Sequence, residues 1–177
     1  MRDAVIIICT RIESKRLPGK ALIPIEGLQS LEHIILRIKD TGIPIWLAVP
    51  VGESKNFLHI CDRYPEVGLY EGNAESPLHR IADFIRASNP KPTYIVRVTH
   101  DDLLIDSSTM LSLLDEVEDQ DAGYGYSPSI VEGAGVEVIS SENLLKAAER
   151  EEDTEFLSYF VKEGPNKKQV RLEPRAS

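Results

Sequence analysis

Four cations are packed into CTRIESKRLPGK, residues 9–20, directly after the apolar run AVIIIC. An arginine can grip a phosphate through two parallel N–H···O bonds, and a lysine adds a point charge, so Arg11, Lys15, Arg16 and Lys20 together suit a multiply charged anion. The Pro18-Gly19 pair shapes a tight turn that lets the backbone approach a ligand. The loop has neither the Gly-x-x-x-x-Gly-Lys-Ser/Thr of a P-loop nor the Gly-x-Gly-x-x-Gly of a dinucleotide-binding turn. By charge alone it is either an anion seat or a solvated basic turn.

A second loop, THDDLLID, residues 99–106, supplies the opposite charge after the apolar run TYIVRV. Mg²⁺ takes one or two protein carboxylates and fills its remaining positions with water and substrate phosphate oxygens, a role that Asp101 suits. Asp106 precedes a helical pattern and reads as an N-cap. The four histidines make no triad or metal pattern, and His100 is marked only by its place beside Asp101. A basic loop and an acidic loop at one edge suit a Mg-nucleotide better than either does alone.

These loops need elements to hold them. Five runs rich in Ile and Val read as strands: AVIIIC (4–9), IPIWLAV (43–49), VGLY (67–70), TYIVRV (93–98) and VEVIS (136–140). Helical periodicity lies between them, in LEHIILRIKD capped by Ser30, weakly in SKNFLHICDRY, and in PLHRIADFIRAS, DSSTMLSLLDEVEDQ, SENLLKAAEREED and TEFLSYFVKEG. The tail has a short strand-like run, QVRLE. Strand–helix alternation implies a mainly parallel sheet with helices on both faces, and such sheets bind ligands at the carboxyl ends of their strands. That rule selects residues 10–20, residues 99–106 and the EGAG approach to VEVIS. Glu137, between Val136 and Val138, fits the polar face of a half-buried strand or the wall of a pocket.

With 177 residues the chain suits one domain, residues 1–177. A net charge of −9 argues against a nucleic-acid partner, which selects a broad basic surface. The short apolar run after Met1 is too brief for a signal peptide or membrane span, so no membrane partner is expected. Cys9 and Cys61 give neither zinc spacing nor a disulfide framework, and a reducing cytoplasm fits them.

The segment R-x-x-S-x-R-L-P-G-K-A-L, from Arg11 to Leu22, closely resembles the signature loop of the CMP-sugar synthetases. These cytidylyltransferases act on acidic sugars such as sialic acid and ketodeoxyoctonate, and they include a spore-coat polysaccharide branch. The resemblance continues through SLEHIILRI, through EGNAESPLHRIADF with Gly72, Leu78 and Arg80 matching, through YIVRVTHDDLLID with Asp101 at the metal position, and through GAGVEVISSENL. It covers about residues 4 to 162.

The resemblance implies a three-layer α/β fold of the nucleotide-diphospho-sugar transferase (Rossmann-like) type, with a mixed, mainly parallel sheet. It implies transfer of CMP from CTP to an acidic sugar with release of pyrophosphate, for surface polysaccharide or glycan synthesis. Arg11, Arg16 and Lys20 would hold the triphosphate, Ser14 and the Gly19 backbone would contact the nucleotide, Arg80 would lie near nucleotide or sugar, and Asp101 would hold Mg²⁺. A homodimer is implied, with residues 123–140 as a protruding arm. Four positions depart from the family pattern: Glu13 and His100 stand where glycine is usual, Leu103 where proline is common, and Gly135 where the nearest branch often has Asp. The family's C-terminal Asp-x-Pro-x-Asp segment has no counterpart here. The alternatives are a short active relative, a segment of a longer protein, and a nucleotide-binding domain or partner subunit that keeps the fold with weak or no catalysis.

Overall fold

A computed structural model describes residues 3–13, 17–128, 133–150 and 161–172. Ser14, Lys15 and Arg16, residues 129–132 and most of TEFLSYFVKEG lie outside the described residues.

The apolar runs form strands β1 (Ala4–Cys9), β4 (Ile45–Pro50), β5 (Val67–Gly72), β6 (Tyr94–Thr99) and β8 (Val136–Ser140). Two further strands join them, β7 (Tyr124–Ser127) and β9 (Gln169–Arg171), in a seven-stranded sheet of order β5-β4-β1-β6-β8-β7-β9. The first four strands in that order are mutually parallel. Strand β8 is antiparallel to both β6 and β7, and β9 runs parallel to β7. The sheet is therefore mixed and mainly parallel, as expected. A small hairpin, β2 (Pro24–Ile25) with β3 (Leu28–Gln29), stands apart.

Helices cover both faces, which is why the central strands are apolar on both sides. Helices α1 (Ser30–Ile38), α2 (Leu58–Arg63) and α4 (Ser107–Asp119) pack on the face carrying Ile6, Ile8, Val96 and Val98. Helices α3 (Pro77–Ala87) and α5 (Ser141–Arg150) pack on the face carrying Val5, Ile7, Ile95 and Ile139. Isoleucines of β1 are completely buried from both sides.

Three details differ from the sequence reading. The cap of α1 is Gln29, not Ser30: Glu32 accepts from the Gln29 N–H, and Ser30 Oγ instead donates to the Lys20 carbonyl, tying α1 to the basic loop. The helix expected over SKNFLHICDRY begins as a 3-10 turn, Ser54–Asn56, with α2 proper starting only at Leu58. The described part of residues 123–140 is not an arm. Its strands β7 and β8 pair inside the main sheet, where Tyr124, Val136, Val138 and Ile139 are buried. Alternating burial of these side chains against helices outweighs any gain from projecting them into water.

Candidate active site

The carboxyl ends of β1 and β6 meet at the centre of the sheet. The chain leaves β1 leftward through α1 to β4, while β6 lies on its other side, so this is the crevice at which doubly wound sheets place ligands. Thr10 and His100 open the two loops there. The Thr10 N–H donates to Ala48 O at 3.2 Å, and the His100 N–H to Cys9 O at 3.3 Å.

The basic loop closes on itself at its neck. Gly19 N–H donates to Ile12 O at 2.8 Å, and the Ile12 N–H donates to Glu53 Oε2 at 2.7 Å. Gly19 has φ +70°, a left-handed conformation that costs a side chain about 1–2 kcal/mol, and it leads into the 3-10 turn Lys20–Leu22. That turn aims Lys20 across the crevice. Its Nζ lies 2.7 Å from Asp101 Oδ2. Lys20 is mostly buried and Asp101 about half exposed, so the carboxylate keeps an open side.

The acidic loop divides its labour. Asp102 turns inward and accepts from Thr99 N–H at 2.6 Å and Thr99 Oγ1 at 3.0 Å; burial raises its pKa, opposed by these bonds. Asp106 caps α4, accepting from the Thr109 N–H at 2.7 Å, as expected. Asp101 alone faces the crevice. The carbonyl of Gly133 accepts from Leu104 N–H, and a Cβ on Gly133 would sit 3.0 Å from Asp101 O. The EGAG approach thus reaches the same edge, entering at the amino end of antiparallel β8.

His100 is held by an Nδ1 contact to Cys9 O at 3.2 Å, and its Nε2 is 3.7 Å from Asp101 Oδ1. Burial lowers its pKa, and Asp101 pulls it back up. The Nε2 atom and the hydroxyl of Thr10 are both buried without hydrogen-bond partners. Such orphaned polar atoms are costly, and two of them at a ligand edge mark a place prepared for something else. Arg11 is half-buried, and its charge reaches both His100 and Arg80, which sets it at this same edge.

Arg80 is not the exposed helix arginine that its position in PLHRIADF allowed. It is 2% exposed. Its Nε donates to Asn73 O at 2.8 Å, Nη2 to Ala74 O at 3.1 Å and Nη1 to Ala48 O at 3.4 Å. The guanidinium pins the β5–α3 loop to the end of β4. Gly72 permits this, since a Cβ there would lie 2.9 Å from Arg80 Cγ. Burial lowers the Arg80 pKa.

A single open carboxylate flanked by lysine fits a Mg²⁺ shared with phosphate oxygens; no cluster of three acidic, His or Cys ligands stands among the described residues to form an all-protein cage. One contributor was missed in the sequence: Glu53 gave no local signal, because its role depends on a loop 41 residues away.

Comparisons with known proteins bear on the family and the fold. The spore coat polysaccharide biosynthesis protein SpsF of Bacillus subtilis is 26% identical over 151 residues, 82% of this chain and 62% of that protein. A 3-deoxy-manno-octulosonate cytidylyltransferase of Agrobacterium fabrum is 28% identical over 117 residues, 65% of this chain and 46% of that protein. The chain therefore spans less than two thirds of the length of these relatives. A cytidylyltransferase structure from Leptospira borgpetersenii superposes with TM-score 0.83 at 20% identity, covering 99% of this chain and 77% of that one. A CMP:2-keto-3-deoxy-manno-octonic acid synthetase complexed with CTP gives TM-score 0.74 at 15% identity, over 98% and 90%. The family model described as "Cytidylyltransferase" matches residues 5–167, and the chain belongs to that family.

Proposed function

We propose that this chain transfers CMP from Mg-CTP to an acidic sugar, releasing pyrophosphate. The observation that carries the reading is the 2.7 Å approach of Lys20 and Asp101 at the crevice between β1 and β6. In the reaction a sugar hydroxyl attacks the α-phosphorus, the bond from that phosphorus to the bridging oxygen breaks, and pyrophosphate leaves. The protein's part is to position the reactants and offset charge. Lys20 and Arg11, with Arg16 from the signature loop, offset the negative charge of the triphosphate and of the departing pyrophosphate. Ser14 and the loop backbone, Gly19 included, contact the phosphate or base of the nucleotide. Arg80 acts one layer back, holding the Asn73–Ala74 backbone as a wall of the crevice. Mg²⁺, held by Asp101, would neutralise phosphate oxygens.

The test is pyrophosphate release with Mg-CTP and a panel of acidic sugars, 3-deoxy-manno-octulosonate and N-acetylneuraminate among them. Turnover that depends on Mg²⁺ and is lost in Lys20→Ala supports the reading. Absence of both CTP binding and pyrophosphate release would sink it. A cytoplasmic homodimer serving surface polysaccharide synthesis completes the proposal, and sedimentation of the purified chain tests the dimer.

One observation favours a second reading, a nucleotide-binding domain without turnover. Glu13 places a carboxylate in the signature loop where the resembling family has glycine, and like charge near phosphate is unfavourable. Tight Mg-CTP binding with no pyrophosphate release would select it.

A further inference from the structure

The two orphaned polar atoms at the crevice, Thr10 Oγ1 and His100 Nε2, belong to neighbouring residues. Cys9 pairs with Thr99 in the β1–β6 register, and Thr10 and His100 come next on the two chains. His100 stands where the resembling family has glycine, so the family pattern says nothing of its ring.

The tautomer of that ring follows from its contact with the backbone. Nδ1 lies 3.2 Å from Cys9 O, and a carbonyl only accepts, so Nδ1 carries a proton and donates it. In the neutral ring Nε2 is then a bare lone pair. It faces Asp101: Nε2 and Oδ1 are 3.7 Å apart, too far for a hydrogen bond. The other carboxylate oxygen, Oδ2, is held by Lys20 Nζ at 2.7 Å. Asp101 thus turns one oxygen to the ammonium and the second to an unpartnered nitrogen. Two acceptors that face each other across such a gap call for a positive group between them. Metal–nitrogen and metal–oxygen bonds of about 2.1 Å each would span it at a single ion. Asp101 is 54% exposed and leaves an approach from the carboxylate side, whereas the His100 side chain is 11% exposed and fixed. Metal-binding imidazoles are oriented in this way, with the far ring nitrogen donating to a backbone carbonyl.

We propose that His100 Nε2 is a second protein ligand to the cation that Asp101 holds, and that this nitrogen biases the site toward a first-row transition ion such as Mn²⁺ or Co²⁺ over Mg²⁺. The inference rests on the reading of Asp101 as the residue that holds the nucleotide's cation. Mg²⁺ seeks oxygen ligands, whereas imidazole suits the transition ions. Two protein ligands leave the remaining positions to phosphate oxygens and water, in keeping with the lack of any three-ligand cluster among the described residues. The neutral ring adds no charge of its own. Lys20 and Arg11 bring positive charge to His100, so cation and ammonium can share Asp101 once a triphosphate supplies the balancing negative charge.

The experiment compares native chain, His100→Asn and His100→Gly. Asparagine keeps a donor for Cys9 O and lacks the second nitrogen, glycine removes the ring, and thermal midpoints check that each variant folds. Mn²⁺ is bound together with a non-hydrolysable CTP analogue, and pulsed EPR records nitrogen coupling to the ion. Protein of natural isotope content is compared with protein labelled with ¹⁵N at histidine. Native chain should show a directly bound nitrogen whose signal changes with the label, which separates histidine from cytosine. Both variants should lack it. In titrations the variants should lose about 10–100-fold in Mn²⁺ affinity, the range for disturbing even an indirect partner of a metal site, and less than about threefold in Mg²⁺ affinity. No histidine coupling in native chain with Mn²⁺ bound, coupling that persists in both variants, or Mg²⁺ and Mn²⁺ affinities that change alike each overturns the assignment. The last is what a merely structural histidine would give. Histidine coupling without pyrophosphate release keeps the ligand and removes the transfer reading. Pyrophosphate release with no histidine coupling does the reverse.

Discussion

Lys20 Nζ and Asp101 Oδ2 are 2.7 Å apart although 81 residues separate them in sequence. Each offsets the charge of the other. Metal and phosphate must therefore divide the pair between them: phosphate takes the lysine and Mg²⁺ takes the aspartate. Free Mg²⁺ meets a carboxylate whose charge the ammonium already offsets, whereas Mg-nucleotide offers the ammonium a new partner. We expect weak Mg²⁺ binding by native chain without nucleotide and tighter Mg²⁺ binding by Lys20→Ala, measured by calorimetry. Asp101→Asn should abolish the Mg²⁺ dependence of nucleotide binding. Because Asp101 is 54% exposed, its loss should change folding stability by less than about 1 kcal/mol. Equal Mg²⁺ affinity in native chain and Lys20→Ala would contradict this account.

Arg80 makes the opposite prediction. It is buried and its donors are committed to three carbonyls, so Arg80→Ala leaves those acceptors without partners and opens a cavity. We expect a loss of about 2–5 kcal/mol in chemical unfolding, from the cavity and the carbonyls left without donors. Arg80→Lys should rescue little, because one ammonium cannot reproduce the planar fork. A loss below about 1 kcal/mol would show that the loop holds without it.

Asp106 ties stability to pH. Hydrogen bonds from Ser108 and Thr109 hold its carboxyl below the usual range. A depressed folded-state pKa gives stability that is present above the unfolded value, near 3.9, and lost as pH falls through the folded value. Asp106→Ala should cost about 1 kcal/mol at neutral pH. The difference from native chain should shrink progressively below about pH 4. Thermal midpoints of both proteins from pH 7 to pH 3 check this, and a gap that widens in acid would refute it.

Glu13 is exposed. A carboxylate facing water beside a basic loop is screened from the phosphates. Glu13→Gly is therefore expected to change CTP affinity by less than about threefold, since an exposed charge is worth under 1 kcal/mol. A tenfold gain would instead mean that the carboxylate obstructs the phosphate seat.

The central half of the sheet was legible because its strands are short Ile/Val runs flanked by helices with clear apolar stripes. β7 was not, since Tyr124-Gly125-Tyr126-Ser127 lacks such a run and is a strand because β8 and β9 pair with it from either side. Helix α2 was blurred for a similar reason: Phe57 is completely buried at a break that periodicity alone does not mark. At the site, Lys20 and Asp101 were legible as opposite charges at two strand ends. Arg80 was visible only by resemblance, and its burial depends on Gly72 allowing close approach.

The neck of the signature loop is built on one peptide. The Ile12 peptide is held from both sides, its N–H by Glu53 Oε2 at 2.7 Å and its carbonyl by the Gly19 N–H at 2.8 Å. Glu53 is itself carried on the loop after β4, and the Thr10 N–H donates to Ala48 O in the same strand. The basic loop is thus anchored to β4 at two points before it reaches any ligand. Glu53→Ala removes one anchor and leaves the Ile12 N–H without its partner, which costs about 1–3 kcal/mol. Part of that cost is felt as stability and part as freedom of the loop, which a bound nucleotide would then have to restrict. The expected result is a CTP affinity lowered by about tenfold or less, the weight of one ordered segment. Glu53→Gln keeps an acceptor oxygen and should retain most of the affinity. Calorimetric titration of Mg-CTP into the three proteins distinguishes them. If Glu53→Gln loses as much as Glu53→Ala, the carboxylate acts through its charge on the ligand site and not through the neck.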